Sequence, residues 1–122
     1  MADLPIEISN FFLAMQAGQL GAARLEACFA EDAEYVEPFT GEVRHHRGRA
    51  EIMTAMALGW EMPMENTHLR IDRALNDGTQ IVVDWTCFST SLTGGKGQGT
   101  NVYDIQDGLI TRLITTLRSD ET

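Results

Sequence analysis

The sequence predicts an α+β domain, with helices gathered in its first half and a curved antiparallel sheet behind them. Two observations carry that prediction. Up to about Trp60 the apolar residues recur at helical spacing, and from about Glu65 onward they recur at the shorter period of strands. Three turn signals, Asn76-Asp77-Gly78, Gly94-Gly95 and Asp107-Gly108, then divide the second half into four long strands joined as a meander. Helices that precede a meander pack together on one of its faces. Strands of this length twist and curl, so that face becomes concave and the helices across it enclose a pocket.

Taken in order, Ile8, Phe11, Phe12 and Met15 stand at i, i+3, i+4 and i+7 and give the first helix an apolar face. Asp3 or Ser9 is its candidate cap, Pro5 is tolerated in the first turn, and Gly18 is the expected stop. A second, short helix runs from about Gly21, with Ala22, Leu25, Cys28 and Phe29 on one side. The chain then crosses Glu31-Asp32 into an extended run from Ala33 to Glu37. Pro38 closes that run, because the residue before a proline is pushed out of the helical region. The third helix fits Gly48 to Trp60, with Ile52, Met53, Met56, Ala57 and Trp60 on one face. The four strands are expected at about Glu65 to Leu75, Thr79 to Leu92, Gly97 to Gln106 and Leu109 to Arg118.

The 122 residues fit one domain, 1–122, and 43% hydrophobic residues can fill a core without metal or disulfide staples. Nine Lys+Arg stand against 18 Asp+Glu, a formal charge of −9. Neutralising phosphates requires a cationic surplus, so nucleic acid and anionic membrane surfaces are not expected partners. Most of the acids fall at turns, caps and termini, among them Asp3, Glu31, Asp32, Asp77, Asp107, Asp120 and Glu121. Cys28 and Cys87 lie in apolar patterns far apart and read as small buried hydrophobes. No charged-then-apolar leader and no run of about 20 apolar residues is present, and the expected location is cytoplasmic.

Two helices, then FAEDAEYVEPFTG at Phe29 to Gly41, HHRGRAEI at His45 to Ile52 and a meander ending VYDIQDGLITRL resemble a known group. It is the SnoaL-like and ketosteroid isomerase group of the nuclear transport factor two-like superfamily, and the resemblance covers nearly the whole chain. It implies a cone-shaped curved antiparallel sheet with three N-terminal helices over its concave face, a cystatin-like or SnoaL-like α+β barrel. It leaves the reaction open, because isomerases, polyketide cyclases, dehydratases, epoxide hydrolases and non-catalytic domains share that scaffold. Ketosteroid isomerases shuttle a proton on a carboxylate that precedes a proline at the end of the first strand, where Glu37-Pro38 stands here. Their two oxyanion donors, a Tyr and a protonated Asp, correspond to Phe11 and Asn101. Of the Asp-Arg-Asp set of limonene epoxide hydrolases, Asp84 matches one acid, while Val82 and Thr115 hold the other two places.

If the domain is an enzyme, the resemblance implies a cofactor-free proton transfer next to a carbonyl, of isomerase, cyclase or dehydratase type, on a small apolar molecule. Glu37 is the expected base, working through a pKa raised by desolvation. Asn101 is the expected donor to the developing oxyanion. If Thr93 pairs with Lys96, Phe88 lies opposite Asn101, and Asp84, Thr86 and Phe88 share its face with Gly97 and Gly99 as open floor. Asp84 is then an acid partner for Glu37. Ile81, Val83, Trp85 and Cys87 form an apolar patch on the other face, suited to a homodimer contact. A one-residue slip exchanges the two faces. Phe11, Met15, Met56, Trp60 and Phe88 are the expected pocket walls, with Phe12 and Met53 as core. His45 and His46 point to opposite sides of an extended segment and suggest no metal, and His68 reads as a surface residue. A non-catalytic ligand-binding or association domain is the alternative, and an epoxide hydrolase a lesser one.

Overall fold

A computed structural model describes residues 5–39, 41–60, 67–78 and 80–118. Asp3, Glu65, Thr79, Asp120, Glu121 and the side chain of Trp60 lie outside the described residues. Helix α1 (Ile6–Ala17) buries Ile8, Phe11, Phe12 and Ala14 and stops at Gly18, where the spacing places its end. It starts on Pro5, whose carbonyl accepts the Ile8 and Ser9 amides at 3.0 and 3.1 Å, so Ser9 lies inside the helix and does not cap it. A 3₁₀ turn, Gly18–Gly21, leads into α2 (Ala22–Cys28), and α3 (Arg49–Trp60) follows later. Two of the three expected helices are therefore full length at 12 residues, and the middle one is a piece of seven.

The strands are β1 (Phe29–Glu37), β2 (Arg44–Arg47), β3 (His68–Asn76), β4 (Ile81–Phe88), β5 (Lys96–Gln106) and β6 (Leu109–Arg118). They form one six-stranded sheet in the order β2-β1-β6-β5-β4-β3. The meander β3 to β6 is antiparallel, whereas β1 pairs in parallel with β6 and brings β2 with it. Two expectations change here. The first strand begins at Phe29, not Ala33, and the segment of His45 and His46 is a strand in its own right. The sheet is also open and not a barrel. Its edges, β2 and β3, do not pair; β2 has only four residues, and on β3 the Leu69 amide is taken by Gln16 Oε1 of α1 at 2.8 Å.

Asp107 and Gly108, at φ 54 and 79°, make the tight mirror-image turn that the dipeptide predicts between β5 and β6. The β4–β5 connection behaves differently. Thr90, Ser91 and Leu92 leave the sheet in a loop closed by Ser89 N–H to Gly95 O at 3.0 Å, and Leu92 turns back onto the core above Gly97. As a result Phe88 pairs with Lys96, and Asn101 pairs with Val83. That odd-numbered shift exchanges the faces. Val83, Trp85 and Cys87 are buried towards the helices, and Asp84, Thr86 and Phe88 occupy the outer face. The outer apolar patch expected of Ile81, Val83, Trp85 and Cys87 is thus an inner wall. In its place the outer face carries polar links, Thr86 Oγ1 to Asp72 at 2.6 Å and Arg118 to Asp72 at 3.3 Å.

The core lies between α1 and the sheet. Phe11 sits at its centre, edge-on to Phe12, Phe29 and Tyr103 with ring centroids 5.5, 6.1 and 5.4 Å away. Such edge-to-face contacts suit the ring quadrupoles and add to what area burial alone gives.

Candidate functional site: an apolar cavity with a polar floor

A cavity of about 350 Å³ opens between α1 and the inner face of the sheet. Phe11, Phe12 and Met15 wall it from α1, Leu69 from β3, Trp85 and Cys87 from β4, and Leu92 from the loop. Phe39 and Leu117 lie at its exposed rim. Phe11 and Met15 thus both line the cavity. Met56 does not line the cavity; it is buried in the core under α3. Phe88 is also displaced, because the register turns it outward, where His68 stacks on it at 6.3 Å and the Arg70 guanidinium lies 5.0 Å above its ring.

The cavity has a polar floor, contributed by neighbouring strands at one level. Asn101 of β5 and Thr115 of β6 are direct Cα partners, and Tyr35 of β1 and Trp85 of β4 flank them. Trp85 Nε1–H donates to Asn101 Oδ1 at 2.9 Å, and the Thr115 hydroxyl donates to the same oxygen at 2.8 Å. Asn101 Nδ2 donates to the Tyr103 hydroxyl at 2.8 Å. Thr115 has one proton and has given it to Asn101, so Tyr35, which hydrogen-bonds Thr115, must be the donor in that contact. Burial, with Glu37 adding to it, pushes the Tyr35 phenol above its ordinary range, and burial does the same to Tyr103 and to the Cys87 thiol. All three are neutral at pH 7. Trp85 reaches Asn101 because Gly99, opposite it on β5, has no side chain: a Cβ there would collide with the indole ring. Gly99 is therefore filled floor, and only Gly97 is open to the cavity.

Glu37 faces inward on β1, two residues from Tyr35, and is 3% exposed. It is not part of the cavity wall; it lies between Tyr35 and Phe39, which are. Phe39 N–H donates to Oε1 at 2.8 Å, and Oε2 receives Arg44 Nη2 at 2.8 Å and meets His46 Nε2 at 2.9 Å. Burial alone would raise its pKa. The bonds from His46, Phe39 N–H and Arg44 outweigh that and hold the carboxyl below its ordinary value. The expected upward shift is thus reversed, since β2 delivers two nitrogen partners to the same oxygen.

Asp84 is on the opposite face of the sheet, bonded by the Thr100 hydroxyl at 2.7 Å. It cannot share a cavity with Glu37, and the Asp84, Val82 and Thr115 positions do not assemble an epoxide hydrolase set. Asn101 alone of the expected polar trio stands on the cavity floor. Trp85, Tyr35 and Thr115 beside it, and Arg44 at Glu37, were not singled out from sequence as acting residues. The period-two alternation that sets Tyr35 on the face of Glu37 is a signal that could have found one of them.

Among the described residues no three His, Cys, Asp or Glu converge as a metal site, and no helix is long and apolar enough to cross a membrane. The sequence profile described as SnoaL-like domain matches residues 8–113. No curated protein matches the sequence significantly. Among solved structures, a Sinorhizobium meliloti protein provisionally named a polyketide cyclase superposes with a TM-score of 0.77 at 22% identity, over 93% of this chain and 96% of its own. A Kribbella flavida protein provisionally named a ketosteroid isomerase gives 0.75 at 20%, over 96% and 78%. An epoxide hydrolase of M. tuberculosis gives 0.70 at 18%, over 93% and 80%. At these identities the likeness is one of fold.

Proposed function

The chain belongs to the SnoaL-like domain family of the nuclear transport factor two-like superfamily, and on that premise we propose that it binds a small, largely apolar molecule bearing a polar group in the cavity above Asn101. The observation that carries this is the contrast within the cavity: aromatic and aliphatic walls around one buried cluster of oriented hydrogen bonds. Apolar walls supply affinity by burial, and a few placed polar groups fix orientation. Calorimetric titration with the bicyclic hydrocarbon tetralin and its ketone 1-tetralone tests it. Both are expected to bind, and Cys87→Phe, which fills the cavity, is expected to weaken both at least tenfold. Binding that is absent, or that survives the filled cavity, contradicts the reading.

A second reading is proton transfer next to a carbonyl, of isomerase, cyclase or dehydratase type. The contact of Glu37 with His46, whose ring lies against that of cavity-lining Tyr35, favours it. The carboxylate holds the imidazole, the imidazole's other nitrogen takes the proton, and Asn101 stabilises the oxyanion. Exchange of the 1-tetralone C2 protons in D2O measures this. Acceleration over buffer that falls by roughly 10²-fold or more in both His46→Gln and Glu37→Gln supports catalysis. Exchange no faster than buffer, with binding intact, leaves binding as the function.

A further inference from the structure

Asn101 is held by three groups, two hydroxyls and an indole, and only one of them works in a single direction. The hydroxyls of Thr115 and Tyr103 rotate and serve as donor or acceptor to suit their neighbour. The Trp85 indole N–H only donates. With Trp85 Nε1 at 2.9 Å, a flipped Asn101 would set N–H against N–H at the centre of a buried network. The amide oxygen therefore faces Trp85 and Thr115, and the amide nitrogen faces Tyr103. Nδ2 spends one hydrogen on the Tyr103 hydroxyl. Among the described residues its second hydrogen has no partner, while Asn101, 4% exposed, is part of the cavity lining.

We infer that Trp85 is a positioning residue that fixes the Asn101 amide as a hydrogen-bond donor, so that the cavity selects ligands presenting an acceptor, a ketone or ester carbonyl, at its floor. The inference rests on the binding function proposed above and names its ligand class. Gly99 is the condition for it, since the indole lies where a Cβ of β5 would otherwise be. The same geometry gives Asn101 the role of an amide donor to a carbonyl, a role in which the amide neither gains nor loses a proton.

The test uses 1-tetralone carrying ¹³C at the carbonyl, with tetralin as the hydrocarbon control. In wild-type protein the bound ketone should show a single carbonyl stretch, shifted to lower frequency than in alkane, and should bind three- to tenfold more tightly than tetralin. In Trp85→Phe the amide is free to turn. A second, unshifted band should appear, and the ketone should lose its advantage over tetralin when both are measured on that same variant. Thr115→Val, which leaves the one-way donor in place, should keep the single shifted band. An unshifted band in wild type, a Trp85→Phe spectrum identical to wild type, or loss of the shifted band in Thr115→Val overturns the inference. Tetralin binding without ketone preference defeats this inference alone, whereas failure of both compounds to bind defeats the function on which it rests.

Discussion

At Glu37 three kinds of donor converge on one buried carboxylate, and their combined effect is a pKa held below the ordinary 4.5. A carboxyl whose folded pKa lies below its unfolded value stabilises the fold above the unfolded pKa, and that stability is lost as pH falls through the folded one. Wild-type protein should therefore lose thermal stability below about pH 4.5, and Glu37→Gln should show a flatter acid limb. At pH 7 the same substitution leaves the half-buried His46 and Arg44 without their anion and should cost about 1–3 kcal/mol, read from urea unfolding. Equal acid limbs for the two proteins would show that Glu37 is not the group involved. The sequence places Glu37 at a strand end before Pro38 and aims it inward, and both hold. Its charge state was not legible there, because it depends on Arg44 and His46 across a strand pairing that four residues do not announce.

The β4–β5 pair shows how much one element decides. Alternation along each strand is readable, and so is the turn dipeptide at Gly94-Gly95. The loop that forms is longer than a tight hairpin because Leu92 buries itself against the core and Ser89 closes on Gly95. That odd shift carries Asp84 and Phe88 outward and Trp85 inward, which periodicity cannot foresee since both registers alternate equally well. Two outcomes follow from the packing seen. Gly99→Ala drives a methyl into the Trp85 ring and the Thr116 carbonyl, and should destabilise by about 1–3 kcal/mol in urea titration. A tolerated Ala, with Trp85 unmoved, would mean that the indole does not lie against β5. Gln16→Ala should cost about 1 kcal/mol and raise hydrogen exchange at the Leu69 amide, the one tie of α1 to the edge of β3 by a side chain seen among the described residues. Unchanged exchange there would place the protection elsewhere.

At the scale of the molecule, an α+β architecture with helices before a meander was legible, since period and turn chemistry agree over long segments. The parallel docking of β1 on β6 and the open edges were not, because pairings across the whole chain leave no local signature. The outer face carries Asp72, Thr86, Asp84 and Arg118 where an apolar patch was expected, so a contact between copies through it would be polar and weakened by salt. The proposed binding function rests on the inner face, where apolar walls surround Asn101. The most direct measurement is a crystal structure of the protein with 1-tetralone bound. The account predicts the rings against Phe11, Leu69 and Trp85, and the ketone oxygen about 2.8–3.2 Å from Asn101 Nδ2. A ketone oxygen turned to the mouth at Phe39, or an unoccupied cavity at saturating ketone, would contradict it.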